Sequence, residues 1–195
     1  MIAGALDSHG GEPLVSTAQF KSRTGDPLQI LKWLGSIVVV LMLSLVVLVF
    51  AARFGDGPTV IIPGGPLESG EMHMGPEPDW TFARDLAEME FQLIEPPVSR
   101  TIWLQVVDRK LYVVSGYMNS AVGKLWKQWP MQAEKDPRAI IRIEGKRYER
   151  KLVRIRAGHP ALGGIASEIN RKYGAGLNAE MAETGDTWFF ALEPR

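Results

Sequence analysis

The pattern of apolar and polar positions divides the chain into four stretches. Between Trp33 and Ala52, WLGSIVVVLMLSLVVLVFAA, twenty consecutive residues carry no charge, with Lys32 before them and Arg53 after. At about 1.5 Å of rise per residue, such a run spans about 30 Å as a helix, the thickness of a bilayer's hydrocarbon core. It has no polar face, and it is longer than a signal-peptide core and lies further from the start. The pattern therefore predicts one transmembrane helix over 30–53. Residues 1–29, rich in Gly, Ser, Thr and Pro without an apolar period, read as a disordered tail. Residues 54–79 hold six Gly and five Pro and read as a linker, in which Val60-Ile61-Ile62 can dock on the domain beyond it. Residues 80–195 have the size and the patterning of one globular domain.

Within that domain the period changes repeatedly. Trp80 to Leu86 reads as a short helix with Asp79 as its cap. Met89, Phe91 and Leu93 alternate with polar residues, a half-buried strand that Glu95-Pro96-Pro97 ends. Thr101 to Val107, TIWLQVV, is almost continuously apolar and reads as a central strand buried on both faces. Asp108-Arg109-Lys110 turns into a second arm, Leu111 to Ser115. From Ser120 to Trp129 the apolar positions recur at three and four, a helix that Pro130 breaks. Ala139 to Glu144 and Arg147 to Arg156 read as a hairpin, Pro160 to Tyr173 as a helix stopped by Gly174, and Thr187 to Leu192 as a last strand. Hairpins with helices between them imply an α+β domain built on a mostly antiparallel sheet or small barrel.

Charge gives the helix a direction. Lys21, Arg23 and Lys32 precede it, against Arg53 alone in the twenty residues beyond. The positive-inside rule then puts the tail in the cytoplasm and the domain outside it, periplasmic where a periplasm exists. The lipid bilayer is thus a partner through residues 33–52. The chain has no cysteine, which excludes disulfides, thiolate metal sites and a cysteine nucleophile. The globular stretch carries 18 Lys+Arg against 14 Asp+Glu, too even for a nucleic-acid partner. The linker, by contrast, has five acids and no Lys or Arg.

The run from Thr101 to Ile155 resembles the flavin split-barrel superfamily of pyridoxamine-phosphate oxidases and deazaflavin-dependent reductases, as a membrane-anchored branch. Lys124, Trp126, Asp136-Pro137, the strand Ile141 to Ile143, Gly145 and Tyr148 carry that resemblance. It implies a split β-barrel with flanking helices, often a homodimer, holding FMN or a deazaflavin near the dimer interface. It places the phosphate-binding groups at Ser115, Asn119, Ser120 and Lys124, with Trp126 beside the ring system. Arg100, ahead of the apolar strand, is a further cofactor-binding residue. A phosphate needs cations and N–H or O–H donors converging on it, and these residue types supply them.

Other features point away from chemistry. The three histidines fall in separate loops, and Met72-His73-Met74 is three residues of a soft-metal site without a supporting cluster, so no metal site is expected. Eight Lys and Arg between residues 138 and 156 read as a solvated, edge-protecting hairpin. Trp103, Trp126, Trp129 and Trp188 read as core. No residue set commits to catalysis, so the expected function is a membrane-anchored binding or accessory protein with a homodimeric or membrane-protein partner. The alternative is a membrane-tethered oxidoreductase dependent on FMN or a deazaflavin.

Overall fold

The computed structural model describes residues 26–59, 61–121, 123 and 127–195. Helix α1 runs Pro27–Ala52. It starts three residues before the expected boundary because Asp26 accepts a hydrogen bond from the Leu28 amide at 3.1 Å and Pro27 occupies the first helical position. It is long and apolar enough to cross a membrane, and none of its residues is buried.

Residues beyond α1 form an α+β unit around one curled, mostly antiparallel half-barrel sheet. Its strands are β1 Glu71–Met72, β2 Glu88–Leu93, β3 Ser99–Trp103, β4 Gln105–Val107, β5 Lys110–Ser115, β6 Arg138–Ile143, β7 Lys146–Ile155 and β8 Trp188–Pro194. The order is β3-β2-β6-β7-β8-β5-β4, with β1 added parallel to β7. Among the described residues, two further helices, α2 Trp129–Lys135 and α3 Leu162–Tyr173, and 3₁₀ turns at Trp80–Ala83 and Ala179–Ala182 accompany the sheet. Asp79 caps the first of these turns through the Thr81 amide at 3.0 Å. The β6–β7 hairpin turns on Glu144-Gly145, both at positive φ, as a two-residue connection between twisted strands requires.

The stretch Thr101–Val107 is not one central strand. It breaks at Leu104, and its halves lie at opposite ends of the strand order, so the peptide that links them also closes the curl. Leu104 is fully buried, and its carbonyl, out of the ladder, accepts Lys172 Nζ at 2.7 Å and Tyr173 Oη at 3.2 Å. Tyr173 Oη also donates to the Ala87 carbonyl. The Tyr173 ring stacks flat on Trp103, centroids 4.1 Å apart, leaving Trp103 43% exposed instead of in the core. An apolar run shows burial but not the bend within it.

Directly paired residues on neighbouring strands face the same side. Met89, Phe91 and Leu93 with Ala139, Ile141 and Ile143 line the inner face, which Trp80, Trp129, Tyr148, Leu152, Phe190 and Leu192 fill. A second core lies under α3, where Ile165 and Ile169 are fully buried against Tyr112, Ile155 and Phe189. Burying each isoleucine contributes about 2 kcal/mol. Pro130 lies in the first turn of α2, which needs no amide from it. Of the helix expected over Ser120–Trp129, residues 122 and 124–126 lie outside the described residues.

The Pro/Gly-rich stretch lies against the sheet. Leu67 is 2% exposed, and its amide donates to the buried Gln92 Oε1 at 2.6 Å. Gly64 pairs with Ser99 through two backbone bonds of 3.0 and 3.2 Å, and β1 joins β7. Asp56, four residues beyond the end of α1, is already ion-paired to Arg142 of β6 at 2.9 Å. Residues within the expected linker thus contact the sheet, because Pro and Gly prevent regular structure without preventing contact.

Candidate functional site

Arginines dominate the sheet, and the face each occupies decides its role. On the outer face, Arg142 is 9% exposed and sits among Glu90, Asp56 and Ser69, with Ser69 Oγ 2.8 Å from its Nη1. Arg147 beside it donates to the carbonyls of Leu67 and Gly70 at 2.8 and 2.9 Å. Together they fasten residues 56–70 onto the sheet. Hydrogen bonds from the Ser69 side chain, and then from the Glu68 amide and Arg142, hold the Asp56 carboxyl well below the usual range against an opposing effect of burial.

The inner face holds Arg100, Arg150 and Arg154. Arg150 is 3% exposed, pairs with Glu77 at 2.6 Å, and lies over the Trp80 and Tyr148 rings at 4.8 and 5.7 Å. Arg154 pairs with Glu134 at 3.0 Å and covers Trp188 at 3.5 Å. Arg100 is different. It stands directly opposite Phe91 and has neither a carboxylate nor a side-chain hydrogen-bond partner among the described residues; its Nε is buried. Burial, and then the charge of Arg53, bring its pKa down to about 10.

The basic hairpin is thus not the solvated surface that its charge suggests. Arg138, Arg142, Arg147, Arg150 and Arg154 are each engaged by a carboxylate or a carbonyl. The complementary signal was present in the sequence: an acidic stretch without cations precedes a cation-rich hairpin, and Asp56 and Glu77 are the acids that meet Arg142 and Arg150. Glu90, on a strand face whose acids suggest exposure to water, is likewise bound to Arg142.

Ser115, Asn119 and Ser120 are brought together on the turn after β5, and their polar groups are occupied there. Ser115 is buried with its hydroxyl 3.3 Å from Met118 Sδ. Asn119 Nδ2 donates to the Thr184 carbonyl at 3.0 Å. Ser120 Oγ donates to the Tyr117 carbonyl and accepts from the Gly123 amide, both at 2.9 Å. Lys124 and Trp126 lie outside the described residues. The lysine the structure does show at this turn is Lys127, whose Nζ donates to the Gly116 carbonyl at 3.2 Å and whose pKa burial lowers. Arg100, on β3, belongs to a different element. The side-chain donors described at this turn, those of Ser115, Asn119, Ser120 and Lys127, thus each have a local acceptor.

His73 meets the Pro76 carbonyl at 2.9 Å and the Tyr148 ring at 5.2 Å, and among the described residues no group of three or more His, Asp or Glu is placed to hold a metal. A shallow cleft of about 220 Å³ runs between Glu88, Glu90, Thr101 and Glu144, floored by Arg142.

No family model matches the chain, and no curated protein matches it. Among solved structures, it is similar to HutZ, the heme storage protein from Vibrio cholerae, at 10% identity over 55% of this chain and 80% of that one, with a TM-score of 0.36. It is also similar to an F420 reductase, at 11% identity over 62% of this chain and 96% of that one, with a TM-score of 0.38.

Proposed function

We propose that the chain is a membrane-anchored binding or accessory protein, with α1 as its single span and the half-barrel as the displayed domain. The observation that carries this reading is α1 itself: twenty-six residues, of which the last twenty carry no charge, with no residue buried. Such a surface is stable only in lipid or against another apolar partner. Lys21, Arg23 and Lys32 favour an amino-terminal tail in the cytoplasm and a periplasmic domain. The paired carboxylates support binding over catalysis, because Glu77, Glu90, Glu134 and Glu168 each answer an arginine. A second copy of the chain or a membrane protein is the partner class this arrangement suits.

The second reading, an oxidoreductase using FMN or a deazaflavin, keeps one supporting observation, the unpaired Arg100. A visible absorbance scan of the detergent-purified chain separates the two. The binding reading predicts a colourless protein that ignores added FMN; a stoichiometric flavin spectrum would replace it with the second. Protease treatment of spheroplasts tests the orientation, which predicts cleavage of the half-barrel and protection of the tail.

A further inference from the structure

We propose that Arg53 and Arg100 together bind the phosphate of an anionic lipid headgroup at the membrane surface where α1 ends. The inference rests on the membrane-anchored reading and assigns a ligand to the half-buried arginine that has no carboxylate or side-chain hydrogen-bond partner among the described residues.

Three short links bring the two residues together. The Gly65 amide donates to the Gly55 carbonyl at 3.1 Å, two residues from Arg53. A Cβ on Gly65 would stand 2.6 Å from the Arg53 carbonyl oxygen, so only glycine permits this approach. The neighbouring Gly64 pairs with Ser99, adjacent to Arg100. Neither arginine makes an ion pair among the described residues, although the segment between them is rich in acids. Asp56 turns instead to Arg142, and Glu77 to Arg150. Two cations held near each other without an anion among the described residues carry a mutual repulsion, which adds to burial in lowering the pKa of Arg100. A phosphodiester accepts from several N–H groups at once and would relieve it.

The surroundings select a lipid over a soluble phosphate. Arg53 directly follows α1, at the level where headgroups lie if the helix spans. Phe54 is 79% exposed and packs edge-on against Phe50. Thr59 and Ile62 close a tight turn through bonds of 3.1 and 2.9 Å, and Ile61 at its tip is 83% exposed. Exposed aromatic and aliphatic side chains beside two arginines match the boundary between headgroups and acyl chains.

The test uses the full chain in detergent, stripped of lipid and titrated with short-chain phosphatidylglycerol, phosphatidylcholine, inorganic phosphate or FMN, with bound adducts counted by native mass spectrometry. The expected result is one phosphatidylglycerol per chain, bound in preference to phosphatidylcholine and not displaced by phosphate or FMN. R100Q and R53Q should each weaken it about tenfold, the scale of a charge-assisted hydrogen bond, while K151Q on the exposed side of β7 should not. R53Q lies outside the sheet and decides the matter if R100Q fails to fold. Equal retention by wild type, R53Q and folded R100Q overturns the proposal, as does displacement by FMN or inorganic phosphate. Loss of selectivity in a membrane-inserted chain removes the site and leaves the anchor. Selective binding through Arg100 in a chain that needs no detergent removes the anchor and leaves the site.

Discussion

The carboxylate of Asp56 lies 2.9 Å from Nη1 of Arg142, joining the start of the Pro/Gly-rich stretch to the middle of the sheet. Arg142 is almost wholly buried and also serves Glu90, so its loss would leave two carboxylates facing each other. We expect R142A to cost about 3 kcal/mol and D56N about 1 kcal/mol in denaturant unfolding of the detergent-solubilised chain. Asp56 also sets an acid limit. Its folded pKa lies below the ordinary value of 3.8, so its contribution is complete above 3.8 and is lost as the pH falls through the folded value. Unfolding midpoints should therefore drop less steeply in acid for D56N than for wild type. Equal acid slopes would remove Asp56 from that role.

In Lys172 burial works against the charge, and stability again rises with pH, in an alkaline window. Burial first, and then Arg171, lower its pKa from 10.5 to about 8. Below 8 both folded and unfolded chains are protonated and the cost of burying the charge is fully present. Between 8 and 10.5 the unfolded chain holds the extra proton, so stability rises with pH. Above 10 the ionisation of Tyr173, whose pKa is pushed up to about 12, works the other way. The difference in stability between wild type and K172M should grow in favour of wild type from pH 8 to pH 10. A difference independent of pH would show that Lys172 titrates normally.

Gln105 is fully buried opposite Tyr112, and neither amide atom has a partner among the described residues. Leucine has a similar volume and no polar atoms to desolvate. Q105L should therefore raise stability by about 1 kcal/mol, whereas Q105A should lower it by opening a cavity. Loss of stability in Q105L would mean that the amide is satisfied.

Adjacent glycines in the first turn of α3 should respond in opposite directions. Nothing lies within 4 Å of a Cβ placed on Gly163, so G163A should stabilise by about 0.5–1 kcal/mol through helix propensity. A Cβ on Gly164 would meet Val107 Cγ1 at 2.8 Å, and a β-branched side chain held in a strand yields little. G164A should destabilise, and thermal unfolding of the two variants reads the contrast directly.

Alternation made β2 legible in the sequence, because Met89, Phe91 and Leu93 reach one core by taking every second position, while tight turns marked β5 and the β6–β7 hairpin. The break at Leu104 was not legible, since its cause sits in Lys172 and Tyr173, nearly seventy residues away. The docking of residues 56–70 was half visible as opposite charge in two segments. Residue type suggested a phosphate cradle at Ser115, Asn119 and Ser120 but could not show that local acceptors occupy those groups. Residue type also singled out Arg100, and its lack of a carboxylate among the described residues stands out only beside Arg150 and Arg154, each seen with its carboxylate.

The central claim is that α1 anchors the half-barrel in a membrane. Alkaline carbonate extraction of membranes from cells making the full chain, followed by intact-mass measurement, tests it most directly. The account predicts that the chain stays in the membrane pellet with residues 33–52 intact. Release into the supernatant, or a mature chain that begins beyond Ala52, would contradict it.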